Sequence, residues 1–312
     1  MQDAPMDKQT RQGLAAILVA AIALLSWLIN NERKHHPPGN SERAPSESDP
    51  SIHLLLGNPS RAVDDTHDPD NYLMRKPYFA LSYNRTKGTP NWVSWCLQKS
   101  DFGPGDRVEF YPDAALPQGF PRIVPRDYTN SGFDRGHLCP RSDRTATQEM
   151  AKATFVMTNI APQSPHLNQR GWNDLEEYSR DLVHKGSVLY ITAGVQGMGG
   201  EGTNGPAEKI GAGGKVTVPA KCWKVMAVIE NGTGTAEDLA KIGQNTRIIA
   251  IIMPNDQSIG HNWPKYRTSV KDVETLTGYT FFDRVPAPIA DPLKAKVDDT
   301  KIPPVGKSLP GD

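Results

Sequence analysis

The stretch that most constrains this chain is Gly132-Phe133-Asp134-Arg135-Gly136-His137-Leu138-Cys139-Pro140. It sets an acid, a guanidinium, a glycine and a histidine at consecutive positions inside an apolar frame. Histidine is the side chain whose ordinary pKa lets it take and return a proton near neutrality. Arg135 offers a planar fork suited to phosphate oxygens. Gly136 lets backbone approach a ligand or adopt a positive φ. In isolation the tetrapeptide also fits a polar turn after a strand with a satisfied histidine at the surface, so its neighbours decide.

A chain of 312 residues can bury a sizeable core as one large or two small domains. Its 37% hydrophobic content and mean hydropathy of -0.53 suit a globular body with polar flanks. Lys and Arg (35) balance Asp and Glu (35), so any nucleic-acid contact must come from a local patch or a metal. Cys96, Cys139 and Cys222 are too few and scattered for a disulfide framework or a zinc cluster. One pair could form in an oxidising compartment, and the sequence does not say which.

Residues 13–29 carry no charge, a length at the short end for a transmembrane helix. Ala21-Ile22-Ala23 resembles a cleavage site, but Leu24, Leu25, Trp27 and Leu28 continue the apolar run past it. The expectation for residues 1–30 is therefore an uncleaved anchor, with a removed signal as the alternative. Residues 31–51, rich in Pro, Ser and charge, read as a disordered tether. A domain over 52–290 and a flexible tail over 291–312 complete the expected organisation.

Within that domain, 78–83 and 92–97 flank a turn-like Lys87-Gly88-Thr89-Pro90 and predict a β-hairpin whose tryptophans enter the core. An irregular passage with Arg107 and Arg126 follows. Residues 154–160 predict a strand. After Asn168, the spacing of Trp172, Leu175, Tyr178, Ser179, Leu182 and Val183 predicts a helix with one buried face, stopped at Gly186. Strands are expected at 188–195, 216–229 and 247–253, and a short helix at 270–277. The glycine-rich stretch 194–214 lacks the Gly-Lys-Ser/Thr ending of a phosphate loop and reads as a mobile loop.

The middle of the chain thus reads strand, motif, strand, helix. Asn168 at the helix start is a neutral oxygen donor suited to a hard cation that keeps most of its waters, as Mg2+ does. Glu176, about two turns on, can hold those waters, and His137 can activate water for attack on a phosphodiester. Each residue alone has an ordinary explanation: a helix N-cap for Asn168, a solvated helix face for Glu176.

Asp134-Arg135-Gly136-His137, then Asn159-Ile160-Ala161-Pro162-Gln163 and Leu167-Asn168-Gln169, then Trp172 and Leu175-Glu176, resemble the DNA/RNA non-specific endonucleases. Outlying matches are Asn91 to Trp95, the run from Val218 to Val225, and Thr277-Gly278-Tyr279. The resemblance implies a mixed α+β (α/β) fold with a central antiparallel sheet and a ββα-metal, or His-Me finger, element. It implies hydrolysis of DNA and RNA with Mg2+, Mn2+ being the alternative ion. His137 would be the general base and Asn168 the direct metal ligand. Glu176 would stand behind the metal waters, while Arg107 and Arg135 bind phosphate and Asp134 and Asn159 support the site. Beyond the substrate, the expected partners are a membrane at 13–29 and a second copy in a homodimer; no inhibitor protein is identifiable. A non-specific nuclease endangers its own genome, so an anchored, extracytoplasmic domain is expected. Secretion after cleavage and a mitochondrial setting are the alternatives. Two other readings stand beside this one: a nuclease-like binding protein without chemistry, and a thiol hydrolase pairing Cys139 with His137.

Overall fold

The computed structural model describes residues 50–302. The apolar run at 13–29, nearly all of the expected tether and everything after residue 302 lie outside the described residues.

Strands β1 (Tyr72–Arg75), β2 (Ala80–Asn84) and β3 (Thr89–Leu97) form a meander. Strands β4 (Asp134–His137) and β5 (Ile160–Gln163) make a separate hairpin. Then come β6 (Ser187–Gln196), β7 (Gly200–Gly202), β8 (Gly205–Ala207), β9 (Lys209–Ile210), β10 (Val216–Thr217), β11 (Lys221–Glu230), β12 (Arg247–Pro254) and β13 (Arg267–Thr268). The main sheet runs β1-β2-β3-β6-β11-β12-β13, every neighbour antiparallel. The helices are α1 (Gln148–Ala153), α2 (Trp172–His184), α3 (Val270–Thr277) and α4 (Ala287–Ala295).

Period-two alternation divides the sheet between two cores. Val93, Trp95 and Leu97 of β3 and Met226 and Val228 of β11 face α2, which adds Trp172, Leu175 and Val183. Trp92 and Cys96, with Trp223, Val225, Ala227 and Ile229, face the other way, onto Val270, Val273, Phe281, Ala290 and Leu293. Both tryptophans of the predicted hairpin are thus core residues, on opposite faces. Central strands covered on both sides bury all of β3 and everything but the two ends of β11, so their buried polar residues, Asn91, Ser94 and Lys224 among them, lie inside the fold with the apolar ones.

Because β3 and β6 are sheet neighbours, residues 98–186 form one excursion that leaves the sheet and returns beside its starting point. The β4–β5 hairpin and α2 lie within it. Arg144, almost wholly buried, fastens it down: Nη2 donates to the Cys96 carbonyl (2.6 Å), Nε to the Tyr78 carbonyl (2.9 Å), and Nη1 pairs with Asp101 (3.1 Å).

Several expectations shift. Residues 154–160 are not a strand: a 3-10 turn at Met157–Asn159 precedes β5, because Thr154 and Asn159 commit side chains to nearby backbone. The run 216–229 is two strands in two sheets, broken at Pro219, which has no N–H to donate. The loop expected at 194–214 instead carries the end of β6, the β7–β8 hairpin and β9. Its Thr203 N–H donates to the Gly132 carbonyl (2.9 Å) and its Asn204 amide to Asn130 (2.9 Å), docking it against the approach to β4. The tail expected from 291 begins inside α4. That helix buries Ala290 and Leu293, and Asp298 beyond it pairs with Arg247 (2.9 Å) and Arg267 (3.3 Å).

Candidate active site

Asp134 to His137 form β4 itself, paired with β5 in the register Asp134 to Gln163 and His137 to Ile160. The hairpin is gripped from both sides. Leu138, Cys139 and Ala161 join the core under α2, while Phe133, Ile160 and Met157 join a third cluster with Ile210, Val216 and Val218. Gly136 is required by closeness: a Cβ there would stand 2.1 Å from Gln163 Oε1.

Asn159 works as a brace. Wholly buried, its Nδ2 donates to the carbonyls of Cys139 and Thr154 (2.8 Å each), and its Oδ1 accepts from the Cys139 N–H (2.9 Å). The backbone just past His137 is thereby fixed by a side chain bonded at both ends.

The His137 ring packs against Phe110 (centroids 5.2 Å apart) and Phe155 (5.0 Å, edge to face), which also touch each other (5.0 Å), so the three rings form a triangle. Each phenyl ring carries an exposed arginine on its own account: Arg135 stands 4.8 Å from the Phe110 centroid and Arg107 5.4 Å from that of Phe155. Nε2 of His137 is buried and meets no hydrogen-bond partner among the described residues. Burial, then the charges of Arg107 and Arg141, push the imidazole down to about 3, so it is neutral at physiological pH.

Asn168 differs from the expected N-cap. It lies inside a π-helical turn, Leu167–Gly171, that runs straight into α2. Such turns widen the helix locally and re-aim side chains. Asp134 Oδ2 accepts from Asn168 Nδ2 and from Gln169 Nε2, both at 2.8 Å. That bond orients the amide, and nothing among the described residues donates to Asn168 Oδ1. Glu176, on α2, has 12% of its side chain exposed, with Lys224 Nζ 3.6 Å from its Oε1. Burial raises its carboxyl to about 7 against the pull of Lys224 and Arg180. Its charge also reaches the Cys139 thiol, two residues beyond His137.

All seven residues singled out from the sequence therefore fall on this one excursion. Arg107, His137 and Arg135 form one cluster, and Asp134 and Asn168 are bonded to each other. Four participants were missed. Phe110 and Phe155 carried no signal, since their contacts with His137 join separate segments. Arg141, whose Nη1 donates to the Gly105 carbonyl (3.0 Å), was legible only as a basic residue just past the motif, and Lys224 only as one position of the matched run from Val218 to Val225. Cys139 is fully buried with its thiol raised by burial, which removes the thiol-hydrolase reading. The three cysteines are all unpaired.

A β-hairpin, a turn and a helix laid on an antiparallel sheet, with the histidine on the hairpin and the asparagine on the turn, make the ββα-metal nuclease fold. Residues 57–288 match the family described as DNA/RNA non-specific endonuclease. The chain is 45% identical over 283 residues to a protein named Nuclease from Nostoc sp., covering 90% of this chain and 97% of that one. It is 30% identical over 224 residues to mitochondrial Endonuclease G of Homo sapiens, covering 68% and 70%. A crystal structure of the EndoG/EndoGI complex superposes with a TM-score of 0.62 at 25% identity, over 79% of this chain and 96% of that one. The chain belongs to the DNA/RNA non-specific endonuclease family.

Proposed function

We propose that this endonuclease hydrolyses phosphodiester bonds of DNA and RNA with a divalent cation, Mg2+ or alternatively Mn2+, using His137 as the general base. The observation that carries the reading is the neutral His137 imidazole, unpartnered at Nε2, packed against two phenyl rings that each bear an arginine. The residues present fit a cation. The Asn168 amide is turned so that Nδ2 serves Asp134 and Oδ1 is left as a neutral oxygen donor. Among the described residues no group of three or more His, Cys, Asp or Glu gathers to cage a metal. An ion that keeps most of its waters needs none. Asn168 would hold it directly and Glu176 through water. When bound, the cation supplies stabilisation of charge on the phosphate and the leaving oxygen.

His137 accepts a proton from water as the water oxygen bonds to phosphorus and the bond to the leaving oxygen breaks. Arg107 and Arg135 hold the phosphate oxygens beside it. An imidazole held so low is a weak base, but two causes of its depression are the cations Arg107 and Arg141. A bound phosphodiester counters those charges and raises the basicity of His137 as the substrate arrives. Contacts of this kind read backbone, so little sequence preference is expected. Plasmid digestion by the full chain with Mg2+, with EDTA, and with His137→Ala tests the assignment. The variant should lose about 10²–10⁴ in rate; cleavage at the wild-type rate by His137→Ala would remove it.

The same reading favours a setting away from the genome. We place the domain outside a membrane that holds residues 13–29, with release after cleavage or a mitochondrial compartment as alternatives. Relatives named as mitochondrial support the last. Among the described residues no helix is long and apolar enough to cross a membrane. Protease added to intact cells should shave off the domain; protection until lysis would overturn an outward-facing anchor.

A further inference from the structure

Lys224 has no part in the mechanism above, yet it is a cation placed in the core. It lies on β11 between Cys222 and Met226, on the face that packs against α2, with 1% of its side chain exposed. Its backbone is locked mid-sheet, registered with Ala193 of β6 on one side and Ile251 of β12 on the other. Its Nζ stands 4.2 Å from the Trp172 ring centroid, 5.9 Å from that of Trp95 and 3.6 Å from Glu176 Oε1. Aromatic faces ease the burial of an ammonium, but they do not replace an anion.

The anions nearby are not interchangeable. Asp143, on the 3-10 turn Arg141–Asp143, already accepts from Trp95 Nε1 at 3.0 Å and pairs with Arg180 at 3.2 Å. Arg180, one turn beyond Glu176 on α2, is committed to that aspartate. Lys224, Arg180 and Asp143 are the charged groups acting on Glu176 from β11, from its own helix and from the turn. Of these, Lys224 is the cation aimed at it. Replacing a buried ion pair by apolar side chains of like volume is often neutral or stabilising, so fold stability does not account for the pair.

We propose that Lys224 is a positioning residue for the endonuclease reaction: from the middle of the sheet its side chain holds the Glu176 carboxylate in place to accept hydrogen bonds from the waters of the cation. Without that partner no cation is aimed at Glu176, since Arg180 is committed to Asp143, and the carboxylate loses the contact that fixes its orientation. The inference rests on the reading of Glu176 given above.

A double-mutant cycle on the full chain tests it, reading the cleavage rate of a defined duplex and the Mg2+ concentration for half-maximal rate. Lys224→Met should lower the rate by about 10–100-fold and raise the Mg2+ requirement. In a Glu176→Gln background the same substitution should change the rate by less than about twofold, because the carboxylate it serves is gone. Equal losses in both backgrounds overturn the inference. A Glu176→Gln chain as active as wild type instead removes the role of Glu176 itself. Lys224→Gln keeps a polar tip without the charge and serves if the methionine variant does not fold. Wild-type rate and Mg2+ requirement in folded Lys224→Gln also overturn the proposal.

Discussion

His137 and Asn168 show how neighbours turn ordinary side chains into specialised ones. An imidazole at the surface would titrate near 6.5; buried against Phe110 and Phe155, with Arg107 and Arg141 nearby, it is pushed down to about 3. Between those two values the unfolded chain binds a proton that the folded chain refuses, so stability falls as pH drops through that window. NMR titration of the His137 Cε1 proton should show no inflection near 6.5. Melting temperature should decline less steeply from pH 6.5 to 4 in His137→Gln than in the wild type. An inflection near 6.5 would contradict the pocket described here. Asn168→Ala should raise the Mg2+ concentration needed for cleavage by about 10–100-fold. Asp134→Ala should move it the same way by less, since Asp134 only orients the Asn168 amide. Unchanged metal titrations in both would separate Asn168 from the cation.

At the scale of elements, the β4–β5 hairpin depends on close approach rather than on ladder length. Each strand has four residues, and the Gly136 position faces the buried Gln163 side chain. Gly136→Ala should cost about 1–3 kcal/mol in urea unfolding and lower activity as His137 shifts. Adding Gln163→Ala should recover part of both; no recovery would mean that the clash is not the cause. This element was only partly legible in the sequence. The motif marked where β4 falls without showing that it is itself a strand, and the helical spacing identified α2. The strand expected at 154–160 failed because Thr154 and Asn159 have local bonds that no periodicity reveals.

For the molecule as a whole, the C-terminal segment closes the second core. Arg247 Nε and Nη2 donate to Asp298 at 2.9 Å each, and Arg267 joins from β13, so residues beyond α4 tie two strands together. Burial pulls the Asp298 carboxyl upward, but its bonds to Arg247, Thr300 and Arg267 outweigh this and leave it below the usual carboxylate range. Its stabilisation is therefore present above the ordinary aspartate pKa and is lost as pH falls through the lowered value. Asp298→Asn should cost about 2–3 kcal/mol at pH 7 by chemical denaturation, with the difference from wild type shrinking in acid. An equal difference at pH 7 and pH 2 would argue against the ion pair. A chain ending at residue 290 would lose this closure as well as half of α4.

What the sequence determined by itself was the family and the main elements: the motif with the asparagine and glutamate spaced after it, the β2–β3 hairpin, α2 and α3. Those are local facts, carried by residue type and by periods of two and 3.6. Only the tertiary structure decided which distant residues share a surrounding. It set Phe110 and Phe155 around His137 and placed Lys224 beneath Glu176. It also packed α4 into the core and turned a glycine-rich stretch into hairpins docked beside β4. The reason is physical: a pKa, a clash or an ion pair depends on burial and distance, and in this fold both are set by strands far apart in the chain.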